Sequence, residues 1–192
     1  MITPVTMHDA ICDFLEKEIA ERYNLRSTDS LGNEFFRSPN VVRSGWILPR
    51  SADEHIMTSE SFDDQDEEPE EAAIPDEYPF ITPRIQKVAH VSGQIESVVT
   101  LDVLFGVYGP ALYDEKGRRI NDGSGYRDVW NLIESTRQAF WEQHTIDSKY
   151  RILPDFFEAD MIDEQIYPYW EGKCTTKWHV MFPMPNPEQN FF

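Results

Sequence analysis

The amino-acid sequence predicts an α+β protein: an antiparallel or mixed sheet of about four to five strands, two helices packed on one face, and a long acidic loop. Two segments, residues 7–23 and 124–145, carry apolar residues at helical spacing. Four others, residues 78–88, 96–108, 150–162 and 165–183, read as strands. Because helices and strands do not alternate singly along the chain, the pattern favours α+β over a parallel α/β fold.

The first helix is predicted over residues 7–23, with an apolar stripe along one side. Thr6, followed three residues later by Asp9, resembles a capping box at its start. The opposite side of the helix is charged, as expected for a helix lying on a core. The stripe consists of Ile11, Leu15, Ile19 and Tyr23, with Phe14 beside it.

Residues 38–51 are predicted to form short extended pieces, because prolines and a glycine interrupt them. Trp46, Ile47 and Leu48 are the apolar residues of this stretch, and we expect them to contact the core. The whole chain, residues 1–192, is predicted to be a single domain, since its length suits one core and 40% of its residues are apolar.

The negative charge of the chain is concentrated in residues 51–78. The net charge is −18, and this segment with the following proline holds 12 acidic residues and no Lys or Arg. Such a composition predicts either a flexible insertion or a tethering arm that becomes ordered on assembly. Ile56, Met57 and Phe62 interrupt the acidic run and are candidate docking residues. A basic nucleic-acid-binding surface is not expected.

Residues 78–88 and 96–108 are predicted to form a long antiparallel hairpin. Pro83 favours an edge or irregular position in its first strand, because proline has no N–H for the ladder. The second strand has the clearest alternation in the chain, with one apolar side made of Val99, Leu101, Val103, Phe105 and Val107.

The second helix is predicted to begin near Ser124, as a cap, with Asp128 near its positive end. Its predicted buried stripe is Tyr126, Val129, Trp130, Ile133, Thr136 and Phe140.

The last predicted strand, in residues 165–183, places Trp170, Cys174, Thr176, Trp178 and Val180 on one side and charged residues on the other. Three prolines then predict a C-terminal tail, residues 183–192, without regular structure.

No residue pattern indicates catalysis, a cofactor or a metal, so we expect a non-enzymatic protein. The five histidines lack metal-ligand spacing, and no phosphate-binding or nucleophile motif is present. Cys12 and Cys174 are expected to be buried thiols. The N-terminus lacks the pattern of a signal peptide, and no stretch suits a membrane span, so we expect synthesis in a reducing cytoplasm.

Several segments together resemble the tail terminator (tail-completion) proteins of long-tailed bacteriophages and prophages. They read "SPNVVRSGWILP", "YPFITPRI", "VLFGVYG", "GYRDVWNLIESTRQAF" and "EQIYPYWEGKCTTKWHV", and the last two are the most specific. The resemblance spans nearly the whole chain except about residues 51–76, where this sequence is longer and more acidic than the family pattern.

The resemblance implies an α+β subunit of a homohexameric ring that caps the tail tube, ends tube polymerisation and joins the tail to the head. The implied partners are further copies of the chain, the tail tube protein, the head–tail connector and other neck proteins, and a sheath protein where the tail is contractile. DNA would pass through the lumen, and the place of action would be the virion, at the tail–neck junction. Tyr167 and Tyr169 are candidate interface residues, while Trp170 and Trp178 are expected to fill the core.

Other functions compatible with the sequence are a head–tail connector or stopper, an acidic mimic of DNA that inhibits an enzyme, and a metal-dependent hydrolase. Concentration of the acidic residues in one segment argues against a mimic, whose charges would have to be spaced along a folded surface. Absence of paired metal ligands in the sequence argues against the hydrolase.

Deletion of residues 53–76 tests the acidic segment. Because the segment has too little apolar surface to offset its ordering entropy, the deleted protein should keep its circular dichroism spectrum and melting temperature. Completion of tails should be weakened. Tails completed as well as with the intact chain would show that the segment is a tolerated insertion.

Overall fold

The computed structural model describes residues 2–28, 34–45, 78–90, 96–109, 112–113, 119–120 and 123–181. The predictions for Trp46, Ile47 and Leu48, for the acidic residues 51–77 and for the tail after residue 182 lie outside these ranges. The described elements are α1 (Pro4–Leu15), a π-helical turn (Glu16–Ala20), β1 (Leu25–Thr28), β2 (Glu34–Arg37), β3 (Asn40–Val41), β4 (Phe80–His90), β5 (Glu96–Tyr108), β6 (Leu112–Tyr113), β7 (Arg119–Ile120), α2 (Ser124–Gln143), β8 (Thr145–Ile146), β9 (Tyr150–Met161) and β10 (Tyr169–Met181).

The predicted α+β class is confirmed, and the main sheet has six strands in the order β3-β4-β5-β10-β9-β8. Every neighbouring pair is antiparallel except β3 and β4, which are parallel. The sheet exceeds the predicted four to five strands because β3 and β8 have two residues each, too few for an alternating pattern. The hairpin β1–β2 and the short pair β6–β7 form separate two-stranded sheets and were not predicted.

The two long central strands, β5 and β10, form the core of the sheet and confirm the predicted alternation. They pair without a break from Tyr169 opposite Tyr108 to Met181 opposite Glu96. The predicted apolar residues of β5 are all buried, as are Cys174, Thr176, Trp178 and Val180 of β10. Trp170, which was also predicted to fill the core, is only half-buried. The indole Nε1 of Trp178 donates to Thr176 Oγ1 at 2.9 Å, so the one polar atom of this large core side chain is satisfied.

Both helices lie on the buried face of the sheet and contact each other. Phe14 of α1 stacks on Phe140 of α2 with ring centroids 5.6 Å apart, and Phe140 packs edge-on against Trp178 at 5.1 Å. This three-ring contact joins the two helices to the centre of the sheet. The predicted arrangement of two helices on one face is therefore present in the described chain.

Helix α1 begins one turn earlier than predicted, so the assignment of Thr6 and Asp9 as the capping pair is wrong. Thr3 is the cap: its hydroxyl accepts from Thr6 N at 3.1 Å, and Thr6 Oγ1 accepts from Thr3 N at 2.9 Å. Pro4 supplies the φ angle of a first helical residue and brings the start forward. The regular turns end before Tyr23, in the π-helical turn Glu16–Ala20.

The predicted stripe of α1 is confirmed by the burial of Ile11, Leu15 and Ile19, to which the structure adds Met7.

Helix α2 ends at Gln143 as predicted, but its start and stripe differ. The cap is Gly123, with a left-handed φ of 67°, and not Ser124, which is the first helical residue; Asp128 lies beyond the first turn. Tyr126 is 46% exposed and Trp130 is half-buried, so the predicted burial of these two is wrong. Both lie to the side of the true stripe, which is Val129, Leu132, Ile133, Thr136 and Phe140.

Pro83 pairs with Val103 of β5 but has no described strand on its other side, so it lies at a local edge, as predicted. On the side of β4 away from β5, the described pairing stops at Ile81, which pairs with Val41 of β3. The carbonyl of Pro83 accepts instead from His8 Nε2 of α1 at 3.0 Å. Proline at this point therefore costs no ladder hydrogen bond.

Truncation of the helix stripe provides a test of this packing. Phe140→Ala should lower the free energy of unfolding by about 3–5 kcal/mol, because it removes a fully buried ring between Phe14 and Trp178. Trp130→Ala should cost less, since that ring is partly solvated. Urea unfolding of both variants measures the difference. A larger loss for Trp130→Ala would contradict the orientation of α2.

Candidate assembly surface

Aromatic side chains gather at one end of the sheet, where β5 ends and β4 and β10 begin. Tyr108 and Tyr169 face each other across β5 and β10 with ring centroids 5.4 Å apart. Tyr78 lies 5.1 Å from Tyr169 and 5.0 Å from Phe80. Because Phe80 pairs with Gly106, and Tyr169 lies opposite Tyr108, this cluster lies on the face away from the helices.

A glycine makes room for the cluster. An added Cβ at Gly106 would come within 2.1 Å of the Phe80 ring, which lies flat across β5 at this point. The Tyr78 hydroxyl donates to Glu171 Oε1 at 2.6 Å, so a buried phenol has a carboxylate partner. Burial, followed by the nearby Tyr169 and Tyr167, raises the pKa of Tyr108. The cluster is therefore packed, and burial raises the pKa of the Tyr108 hydroxyl in favour of its neutral form.

The turn between β9 and β10 lies next to this cluster and has exposed apolar side chains. Ile166 is 51% and Tyr167 is 40% exposed. Gln165 holds the turn: its amide accepts from Glu171 N and donates to Glu171 O, both at 2.7 Å, and it also donates to Ile162 O. Gly109 N donates to Pro168 O at 2.9 Å. The structure thus presents Ile166 and Tyr167 on a turn with many backbone constraints.

The start of α2 adjoins the same end of the sheet, on the helix side. A Cβ on Gly125 would lie 2.2 Å from Trp170 Cδ1, so the helix approaches β10 closely there. Tyr126 packs edge-on against Trp170 and Trp130 at 6.3 Å and 6.4 Å. A second close approach follows at Gly172, where a Cβ would meet Val129 Cγ1 at 2.8 Å. Glycines therefore set the distance between α2 and β10.

The structure separates the predicted interface residues. Tyr167 is exposed, whereas Tyr169 is half-buried between Tyr78 and Tyr108 of its own chain. Ile56, Met57 and Phe62 lie outside the described residues. Ile166 and Tyr126 are exposed apolar side chains that the sequence reasoning missed. Tyr126 was missed because the predicted buried stripe of the helix was too wide and included it. Ile166 was missed because the prediction for this segment considered only the neighbouring tyrosines.

Beyond the aromatic cluster, the face of the sheet away from the helices is polar. Asp102 of β5 is its centre: the carboxylate accepts from Thr175 Oγ1 at 2.8 Å and from Gln86 Nε2 at 2.7 Å, with Arg84 3.8 Å away. Next to this network an open cleft of about 870 Å³ reaches the edge of β9. The cleft is lined by both apolar and charged side chains, including Phe80, Leu104, Trp130, Asp160, Met161 and Lys173.

Within the described ranges, no three His, Cys, Asp or Glu side chains come together in a group that could hold a metal ion. Both thiols are buried, as predicted from the sequence. Burial raises the pKa of Cys12 to about 11 and also raises the pKa of Cys174. These cysteines are therefore protonated and unreactive at neutral pH.

Substitution of Gly106 tests the aromatic cluster. Gly106→Ala should destabilise the protein by about 1–3 kcal/mol, because the new methyl group overlaps the Phe80 ring. Thermal unfolding measures the loss. The double variant with Phe80→Leu should recover part of it, since the smaller side chain can move aside. Equal effects with and without Phe80→Leu would contradict the contact.

Comparison with models of known protein families finds none that matches this chain, and a search of curated proteins finds no similar sequence. None of the described helices is long and apolar enough to span a membrane.

Proposed function

We propose that this chain is the tail terminator of a long-tailed bacteriophage or prophage. In this proposal, six copies form a ring on the end of the tail tube, stop its polymerisation and offer a surface to the head connector. The ring acts in the virion, at the tail–neck junction. The partners are the chain itself, the tail tube protein and the neck proteins, and DNA passes through the lumen.

One observation carries the proposal: the two segments with the most specific resemblance pack together and present exposed apolar residues. Residues 125–140 form most of α2 and residues 167–178 most of β10, and they meet at Gly125 and Gly172. Ile166 and Tyr167 project at the end of this unit. The segments that resemble the family thus share one packed unit and one exposed surface.

The exposed surface has the physical character of an assembly contact. Aromatic and large aliphatic side chains are favoured in interface centres, because they bury much area with few rotatable bonds. The hydrogen bonds of Gln165 and Gly109 restrain the turn before any partner binds. Binding therefore loses less conformational entropy than it would with a mobile turn. This supports a role for Tyr167 in contact with a neighbouring subunit.

The charge of the chain is compatible with a lumen that DNA crosses. At a net charge of −18, a ring of six copies repels phosphates and would not hold passing DNA. A head–tail connector or stopper would share this property. Ring symmetry separates the two functions, because a twelve-fold ring indicates a connector and a six-fold ring is expected of a terminator.

Electron microscopy of assembled tails tests the proposal. We expect a six-fold ring of this chain, located by gold-labelled antibody at the head-proximal end of the tail tube. In the chain's absence, tube length should become irregular. A monomer, a dimer or a twelve-fold ring in the particle would contradict the terminator function.

A pair of surface variants tests the part played by the exposed turn. Tyr167→Ser should reduce the yield of completed tails at least tenfold while leaving the melting temperature within a few degrees, since the side chain is exposed. Val5→Ser is the matched control, because Val5 is 63% exposed on α1, away from this surface. Equal yields from the two variants would remove Tyr167 from the assembly contact.

A further inference from the structure

Strand β9 leaves an incomplete edge on the main sheet. β8 pairs only with Tyr150 and Arg151. The pairing of β9 with β10 is then interrupted by a bulge opposite Lys177, and it resumes for residues 157–161. Along these five residues, no strand in the described part of the chain lies on the side away from β10.

The hydrogen bonds between β9 and β10 show which backbone groups of β9 face away from the sheet. Ile162 N donates to Glu171 O, so Ile162 points its backbone towards β10. Backbone direction alternates along an antiparallel strand, so Glu158 and Asp160 also bond to β10. Phe157, Ala159 and Met161 therefore direct their N–H and C=O groups away from the sheet. Among the described residues, no strand pairs with these three donors and three acceptors.

The surroundings of this edge can receive side chains on both faces. The open cleft is lined by residues of both faces. On the helix side these include Trp130 and Met161, and the buried Nε1 of Trp130 has no hydrogen-bond partner among the described residues. On the other side, Glu158 and Asp160 are exposed. Residues 157–164 include four acidic residues and no basic one. An added strand would fit best with an apolar residue towards the cleft and a basic residue towards the carboxylates.

The chain itself carries such a strand at the opposite end of the sheet. β2 is joined to the end strand β3 by only two residues, and in the described structure it pairs with β1 alone. Its Phe36 is 67% exposed. Arg37 follows and points to the opposite face, as successive strand residues do. In β2, an exposed apolar side chain is thus followed by a basic one, which is the alternation that the edge of β9 would fit.

We propose that β2 of one copy pairs with residues 157–161 of β9 in the next copy, with Phe36 entering the cleft beside Trp130 and Arg37 facing Glu158 and Asp160. The inference rests on the proposed ring and identifies its subunit contact. Strand addition of this kind takes affinity from backbone hydrogen bonds and specificity from alternate side chains.

The positions of the added strand, β2, and of the strand that receives it, β9, determine the symmetry of the contact. β2 lies at the β3 end of the sheet and β9 near the other end, so each copy uses different surfaces towards its two neighbours. Such a head-to-tail contact closes into a ring when the rotation between copies allows it. Ile166 and Tyr167 lie in the turn between β9 and β10, so they would extend the same contact.

Cross-linking of the full chain on assembled tails tests the contact. The double variant Phe36→Cys, Ala159→Cys should give a ladder of covalent species up to six copies with a short bismaleimide. The native Cys12 and Cys174 are buried and should not react. Val5→Cys with Ala159→Cys is the matched control and should give no ladder.

Two single variants complete the test. Ala159→Pro removes an N–H that points outwards, so the β9–β10 ladder should survive, as the circular dichroism spectrum would show. Ring formation should fall at least tenfold. Phe36→Ser should have the same effect, whereas Val5→Ser should have none.

The outcomes separate this inference from the proposed function. Six-fold rings on tails without a ladder, and with normal assembly of Phe36→Ser, would overturn the strand contact and leave the terminator function intact. Hexamers of Ala159→Pro that form but fail to join a neck ring would assign the edge to another partner, and would also overturn it. Absence of any ring on the tail would overturn the proposed function itself.

Discussion

The uninterrupted pairing of β5 with β10 is the interaction on which the rest of this structure depends. It brings together strands that are more than sixty residues apart in the chain, and their alternation places valines, Phe105 and Trp178 on one side. Both helices cover that side. β4 and β9 then add at its two flanks, so the order of the sheet follows from this one pair. The polar network at Asp102 lies on the other side of the same strands and satisfies its buried carboxylate.

Close approach of α2 to this central pair requires residues without side chains. Gly125 and Gly172 are the points at which the helix meets β10, and at both an added methyl group would overlap a core side chain. Further along, Phe140 fills the space between α1 and Trp178. The helix is therefore tight against the strand at its start and separated from it by rings at its end. The exposed turn at Tyr167 lies next to the start of α2, where the helix and β10 are in close contact.

The two flanks of the sheet differ in how their backbone groups are satisfied. On β4, Pro83 has no N–H, His8 donates to its carbonyl, and a bulge between Ile85 and Lys87 interrupts the strand. These features discourage pairing with another chain. On β9, the N–H and C=O groups of residues 157, 159 and 161 have no such cover among the described residues. This asymmetry gives direction to any association through the sheet, and direction is what a head-to-tail ring needs.

By itself the sequence determined the features that arise from local periodicity. The two helices, the long strands and the buried sides of β5 and β10 were predictable, because burial on one side imposes a repeat of 3.6 or 2 on neighbouring residues. The sequence did not predict the two-residue strands β3 and β8, the start of α1 at Thr3 or the exposure of Tyr126, since these depend on which distant segment lies alongside.

The same holds for the predicted surface. A cluster of tyrosines was visible in the sequence, but only packing decided that Tyr169 is enclosed by Tyr78 and Tyr108 while Tyr167 faces solvent. The edge of β9, which has no neighbouring strand among the described residues at positions 157–161, was also decided by the tertiary structure, because local sequence does not encode which strand lacks a neighbour.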